Sequence, residues 1–305
     1  MWFKNLLVYR LPADWSMTAA QLEERLANRP LQPCNGFELQ MRGWVAPAFH
    51  ERLVHTLNGQ HLIALGINQK LLPASIVNQV TKERAAEIAV EQGYPVGRRQ
   101  LREIKERVTE ELRGRALTRR RMMRAWIDGE RGWLVVDSAS PARAEELVET
   151  LRDSLGSLAV QLLETERSPT QSMSAWLMLG EAPTRFQIEE DLELQSVDDS
   201  KSMVRYVRHP LPAAEVQKHM SAGKTPTRLG LSWKDRLAFL LNADMQLKRV
   251  QFLGMDKESE QGSEAAEEKF DIDFTLMTGE VGQMLTDLID ALGGDSKRME
   301  QLAAA

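Results

Sequence analysis

VGRRQLREIKERVTEELRGRALTRRRMMRAW, residues 96–126, is the stretch whose reading decides the architecture. Leu101, Ile104, Val108 and Leu112 recur at i, i+3, i+7 and i+11, the inner stripe of a helix. Arg98, Arg102 and Lys105 recur at i, i+4 and i+7, so they share a different face of it. Upstream, Pro73-Ala74-Ser75 starts an earlier helix whose loose stripe is Ile76, Val77, Val80 and Ile88, stopped by Gly93-Tyr94-Pro95. Strand patterns lie on both sides. The spacing predicts a helical insertion, a tip carried on a sheet domain.

Working outward, Trp2–Tyr9 reads as a first strand, and a helix from Thr18 carries Leu22 and Leu26 and stops before Pro30. Gly43–Pro47 is a short strand. Asn58-Gly59 is a turn dipeptide, followed by a strand over His61–Ile67. Beyond the insertion, Met122–Ile127 and Gly132–Asp137 form a hairpin turning at Asp128–Arg131. Ser140-Pro141 then opens a helix with Leu147, Val148, Leu151 and Leu155, closed by Gly156. The polar stretch from Glu164 to Thr170 marks a boundary.

The C-terminal region reads as a helix over Ser172–Leu179, a strand over Phe186–Leu194, a helix over Pro212–Ala222, and strands over Leu229–Trp233, Leu237–Asn242 and Leu247–Phe252. An acidic loop, Asp256–Lys269, follows. Phe270–Leu276 alternates as a strand, and Thr278 is expected to cap a last amphipathic helix before a frayed tail from Asp295 to Ala305. The expected fold is α+β, with mixed or antiparallel sheets and packed helices. Residues 1–74 and 125–167 form a central sheet domain, 75–124 a helical basic tip, and 168–305 a C-terminal α+β base.

Charge gives that tip a purpose. From Lys82 to Arg124 there are thirteen Lys/Arg and seven Glu, a local net of +6, and a chain total of −5 leaves −11 for the rest. An acidic chain that gathers positive charge in one arm is presenting it to a polyanion, of which duplex DNA is the commonest large one. Arg113–Arg124 holds six arginines and no carboxylate, and the guanidinium fork suits phosphate bidentately. Where signs alternate, over residues 98–111, a merely solvated face fits equally well. The candidate phosphate contacts are Arg98, Arg102, Lys105, Arg113, Arg115, Arg119, Arg120, Arg121 and Arg124. A second patch is Arg205, Arg208 and His209, with Lys218, Lys224 and Arg228 behind it. The acidic remainder, including residues 256–268, is expected to face away from DNA. Only Tyr94 and Trp126 flank the arm, which favours duplex over a single-strand stacking platform, with single-stranded DNA left open.

Catalytic signatures are weak. Gly223-Lys224-Thr225 resembles the end of a phosphate loop, but the glycine required five residues earlier is Lys218. His50 and His55 lack helical zinc spacing and read as lone histidines. No G-x-S-x-G elbow is present. Asp271 and Asp273 would share one face of a strand and, with Glu280, could hold a divalent metal as in a nuclease; the same alternation also describes a solvent-facing strand. No cofactor is expected. A third reading is a scaffold whose basic tip docks an acidic protein. Cys34 is the sole cysteine, no apolar run is long enough to span a bilayer, and the N-terminus lacks a signal-peptide pattern. A cytoplasmic, non-membrane protein is expected.

Several stretches together resemble the recombination-associated RdgC family. They are MWFKNLLVYRL at the N-terminus, Gly43-Trp44-Val45 with Pro47, Asn58-Gly59-Gln60, Leu71-Leu72-Pro73, Trp126-Ile127-Asp128, Ser154–Leu158, Ala222-Gly223-Lys224 and Phe274–Glu280. The resemblance spans nearly the whole chain. It implies a non-catalytic, nucleoid-associated protein that binds DNA with little sequence preference. It further implies crescent subunits closing as a homodimeric ring around duplex DNA and restraining RecA-dependent strand exchange. In such a dimer Leu117, Met122 and Met123 could supply apolar contact at the tip.

Overall fold

The computed structural model describes residues 2–35, 38–198, 200–254 and 263–297. The N-terminal half runs β1 (Leu6–Arg10), α1 (Ala19–Ala27), β2 (Gln40–Val45), β3 (Val54–Leu57), β4 (Gln60–Lys70), α2 (Ala74–Gln92), α3 (Arg98–Arg115), β5 (Thr118–Asp128), β6 (Trp133–Asp137), α4 (Pro141–Leu155) and β7 (Gln161–Leu162). The C-terminal half runs α5 (Pro169–Leu179), β8 (Phe186–Ser196), β9 (Met203–Tyr206), α6 (Ala213–Ser221), β10 (Lys224–Trp233), β11 (Leu237–Asn242), β12 (Leu247–Phe252) and α7 (Ser263–Ala291). The class is α+β. The two expected sheet regions are joined into one open antiparallel sheet, ordered β2-β4-β5-β6-β1-β12-β11-β10-β8-β9, with β3 beside β4 and β7 beside β1. The seam is narrow, with Leu6 opposite Leu247 and the Val250 amide donating to the Lys4 carbonyl at 2.9 Å.

Strand alternation sorts the core onto two faces. Leu7, Tyr9, Leu134 and Val136 pack beneath α1 and α4, through Leu22, Leu26, Leu147 and Leu151. Leu6, Val8, Trp133 and Val135 point the other way, onto Phe274, Met277, Val281 and Leu285 of α7. Both faces are covered, which is why these strands read as continuous apolar runs rather than alternating ones. Local signals fix the ends. Thr18 forms a capping box with Gln21, and Asn58 (φ 51°) with Gly59 (φ 75°) turns β3 into β4.

Helix α7 corrects the strand expected over Phe270–Leu276. Phe270, Phe274, Met277, Val281, Met284 with Leu285, and Leu288 with Ile289 are all buried and recur every three or four residues along one continuous stripe. The Asp/apolar alternation at its start is local, and the longer period wins. Thr278 is no N-cap; inside the helix its hydroxyl donates to the Phe274 carbonyl at 3.0 Å. Residues 256–262 of the expected acidic loop lie outside the described residues, and from Ser263 the chain is helical. Nor is the tail frayed at its start. Arg10 Nε donates to Asp295 Oδ1 at 3.1 Å, and Thr165 bridges Asp295; residues 298–305 lie outside the described residues.

The insertion stands on a long hairpin. β4 and β5 pair from Gln60–Asp128 to Lys70–Thr118, and the Leu71 amide donates to the Leu117 carbonyl at 2.8 Å. The chain between these paired ends folds as the α2–α3 hairpin around a small core of Val77, Ile104 and Val108. Gly93, in the left-handed region (φ 77°), ends α2. The helical tip expected to extend to Arg124 gives way to strand at Thr118, four residues before the expected Met122.

Candidate nucleic-acid interface

Helix α3 turns Ile104 and Val108 inward and leaves Arg98, Arg99, Arg102, Lys105 and Arg107 in solvent. Two of these cations are matched along the helix: Arg99 to Glu103 at 3.3 Å and Arg102 to Glu106 at 3.2 Å. Such exposed i,i+4 pairs are weak and exchange readily for a phosphate. Arg98, Lys105 and Arg115 have no carboxylate within ion-pair range among the described residues. Arg113 is half-buried at the end of α3, and its carbonyl accepts from Lys70 Nζ at 2.9 Å, which ties the hairpin to the sheet.

The consecutive arginines then enter β5, where strand geometry divides them. Arg119 and Arg121 share the face of Met123, Ala125 and Ile127; Arg120 shares the opposite one with Met122 and Arg124. Arg119 and Arg120 are exposed and lack an ion-pair partner among the described residues. Arg121 is half-buried, its Nη2 donating to Gln69 Oε1 at 2.9 Å across the ladder. Arg124 withdraws furthest. Its Nε donates to the Pro47 carbonyl at 3.2 Å, and burial holds its guanidinium below the usual arginine range while Asp137 pulls the other way. Of the three residues weighed for a tip contact, Leu117 and Met122 are exposed and Met123 is buried in the central core. The solvated charge on this arm therefore comes from both strand faces and from the Arg98, Arg102 and Lys105 face of α3, with Arg99 and Arg107 adding exposed charge off that face.

The second patch is built differently. Arg205 on β9 and Arg228 on β10 flank Glu193 on β8: Arg205 Nε donates to Glu193 Oε2 at 2.8 Å, and Arg228 Nη1 lies 3.6 Å from the same oxygen. Thr227 Oγ1 donates to the other oxygen at 3.0 Å. Burial pushes the Glu193 carboxyl up, but these hydrogen bonds and the two guanidinium charges outweigh it and hold the group below the usual range. Two cations thus share one buried anion. Arg208 and His209 are exposed in the loop after β9, with His209 Nδ1 2.8 Å from the Pro210 carbonyl oxygen. Lys218 is exposed on α6, and Lys224, half-buried, opens β10.

The nuclease constellation does not survive the helix. Residues two apart on a helix point about 200° apart, so Asp271 and Asp273 diverge instead of sharing a face. Asp271 instead meets His55, whose Nε2 lies 3.2 Å from its Oδ1. His50 and His55, read as separate histidines, are stacked with Nε2 and Nδ1 2.9 Å apart. No group of three or more His, Cys, Asp or Glu among the described residues is arranged to hold a metal ion. No helix among them is long and apolar enough to cross a membrane.

A family model described as "RdgC: Putative exonuclease, RdgC" matches residues 1–295. The recombination-associated protein RdgC of Dechloromonas aromatica is 46% identical over 299 residues, covering 97% of this chain and 98% of that protein. That of Herminiimonas arsenicoxydans is 46% identical over 299 residues, covering 98% and 100%. That of Burkholderia ambifaria is 46% identical over 306 residues, covering the whole of both.

Proposed function

The chain belongs to the RdgC family, and from that premise we propose that it is a recombination-associated protein that binds DNA without sequence preference and without catalysis. The observation that carries this reading is a group of solvated cations on the arm without an ion-pair partner among the described residues, including Arg98, Lys105, Arg107, Arg115, Arg119 and Arg120. Backbone-directed binding needs many phosphate contacts and no base readout, and arginines spread over two faces of a strand and one of a helix suit a curved polyanion better than a flat one. Duplex DNA is the preferred ligand. Arg102, Arg113 and Arg121 extend the set, and Arg205, Arg208, His209, Lys218, Lys224 and Arg228 form a weaker second contact. Closure of two subunits into a ring around the duplex would retain DNA through modest contacts, and occupancy of DNA would restrain RecA-dependent strand exchange. Such a protein would reside in the cytoplasm, with the nucleoid.

The test is duplex affinity across a salt series for the native protein and an Arg115→Ala/Arg119→Ala/Arg120→Ala variant of the same oligomeric mass. Each lost phosphate contact lowers the log–log slope by about 0.9, so the triple variant loses about 2.7. An unchanged slope overturns the assignment of the arm. Plasmid DNA incubated with Mg²⁺ or Mn²⁺ stays intact; cleavage that disappears in Asp273→Asn would replace this reading with a nuclease.

A further inference from the structure

A cleft of about 490 Å³ lies between the β2–β3 loop, β5 and α7, against the face of β5 that carries Met122 and Arg124. Its walls are mainly apolar: Pro47, Ala48 and Phe49 from the loop, Met122 from β5, and Ala266 and Phe270 from α7. Phe49 is 66% exposed and Met122 45% exposed at its rim, although Phe49 already meets Phe270 edge-to-face at 5.8 Å. Large apolar side chains left in solvent beside a formed cleft mark a surface that a partner covers.

The polar groups in the cleft are few and have distinct roles. Arg124 has its Nε committed to the Pro47 carbonyl, which aligns the guanidinium, and no carboxylate lies within ion-pair range of it among the described residues. Asp137 acts on this guanidinium electrostatically without pairing with it, so a half-buried, pre-aligned arginine keeps donors for a carboxylate or phosphate. Lys269 and Asp273, one turn apart on α7, also line the cleft, one of each sign. Outside, Glu267 and Glu268 are exposed on the same helix. Those acids repel a polyphosphate backbone but accept a lysine or arginine.

We propose that this cleft docks the C-terminus of a partner protein, with a large apolar terminal side chain between Phe49 and Met122, its free carboxylate on Arg124, and an upstream basic residue at Glu267 and Glu268. The inference does not depend on the DNA reading, because it uses none of the solvated arm cations.

The experiment is fluorescence anisotropy with three fluorescein-labelled peptides, each ending in lysine, serine and then phenylalanine, leucine or tryptophan with a free carboxylate. At least one binds with a Kd below about 1 mM. Amidating its terminus, replacing its last residue by alanine, or introducing Arg124→Met or Ala266→Trp each weakens it about tenfold or more. Ala266→Trp fills the cleft from the helix without touching the arm, so duplex affinity stays at the native value and reports an intact fold. The proposal fails if none of the three peptides binds, or if binding ignores amidation or Ala266→Trp. It also fails if a short oligothymidylate, and not the peptides, shows the Ala266→Trp dependence; the cleft is then a nucleic-acid site.

Discussion

Arg119 and Arg205 lie on strands of one sheet, yet one reaches solvent without an ion-pair partner among the described residues and the other closes on Glu193. The arm and the base differ in the same way in their packing. The α2–α3 hairpin is held by a core of Val77, Ile104 and Val108, while the sheet beneath it buries Trp44, Trp126 and Trp233 almost completely. Arginine content alone therefore does not mark an interface. What distinguishes the two surfaces is whether the neighbouring strand supplies an anion, and the arm's neighbour β4 supplies Asn68, Gln69 and Lys70 instead.

Packing gives the largest contrast. Trp126→Ala removes a fully buried ring whose Nε1 donates to Gln60 Oε1 at 2.6 Å, and it should lower global stability by about 3–5 kcal/mol in urea unfolding. Ile104→Ala should cost about 2 kcal/mol, confined to the hairpin. Hydrogen exchange checks this: α2 and α3 amides lose protection while β1, β5 and β6 keep theirs. Equal loss in the sheet would mean that the arm is no separate unit.

The charge contrast is sharpened from the base side. Arg205→Ala/Arg228→Ala should change the salt slope of duplex binding by less than the about 0.9 expected for a single free contact. Glu193→Gln should do the reverse, releasing two guanidiniums and steepening the slope. It should also cost up to about 1 kcal/mol of stability, because two partly exposed guanidiniums lose the charge they share. The pH dependence has a definite sign. Glu193 titrates below its ordinary range in the folded protein, so its contribution is present above about pH 4.3, the unfolded value, and is lost as pH falls through the folded one. The stability gap between native and Glu193→Gln should narrow in acid; a gap constant from neutral pH to about 3 would mean that the carboxylate's charge is not what holds the pair.

His55 brings a second acid sensitivity. Burial lowers its pKa most, Asp271 and Glu267 oppose that, and His50 reinforces it. Its folded pKa therefore lies below the unfolded value of about 6.5, and stability falls as pH drops below that value. His55→Gln should flatten the decline of melting temperature between about pH 6.5 and 5. A variant that melts with the native slope would put the sensitivity elsewhere, with His61, also lowered by burial, the next to replace.

Local signals made the N-terminal half and the helical insertion readable in the sequence: Thr18, Asn58-Gly59, Gly93 and Gly156 each act within a few residues of their own position. Helix α7 was hidden because Asp271-Ile272-Asp273-Phe274 imitates a strand over four residues, and only the step from Phe270 to Phe274 onward shows the longer period. Strand β9 carried no recognisable pattern; Met203–Tyr206 is held by pairing with β8. The arginines of the arm were visible as a run, but not their division between two faces. The pairing of Arg205 and Arg228 with Glu193 depends on sheet register, which no spacing along the chain encodes.

The smallest effect tests whether the matched pairs on the arm belong with the free cations or with the base. Arg99 is 95% exposed at its side chain and 3.3 Å from Glu103, a pair worth within about 0.5 kcal/mol. Arg99→Ala should leave unfolding unchanged within that limit. If phosphate displaces Glu103 when DNA binds, the same substitution lowers the salt slope by about 0.9, because the weak internal pair offers little resistance to exchange. If the slope stays native, Arg99 faces away from the duplex, and the contact surface narrows to the Arg98, Arg102 and Lys105 face together with Arg115, Arg119 and Arg120. Either result orients α3 about its own axis relative to the bound DNA, since Arg98 and Arg99 are about 100° apart around the helix.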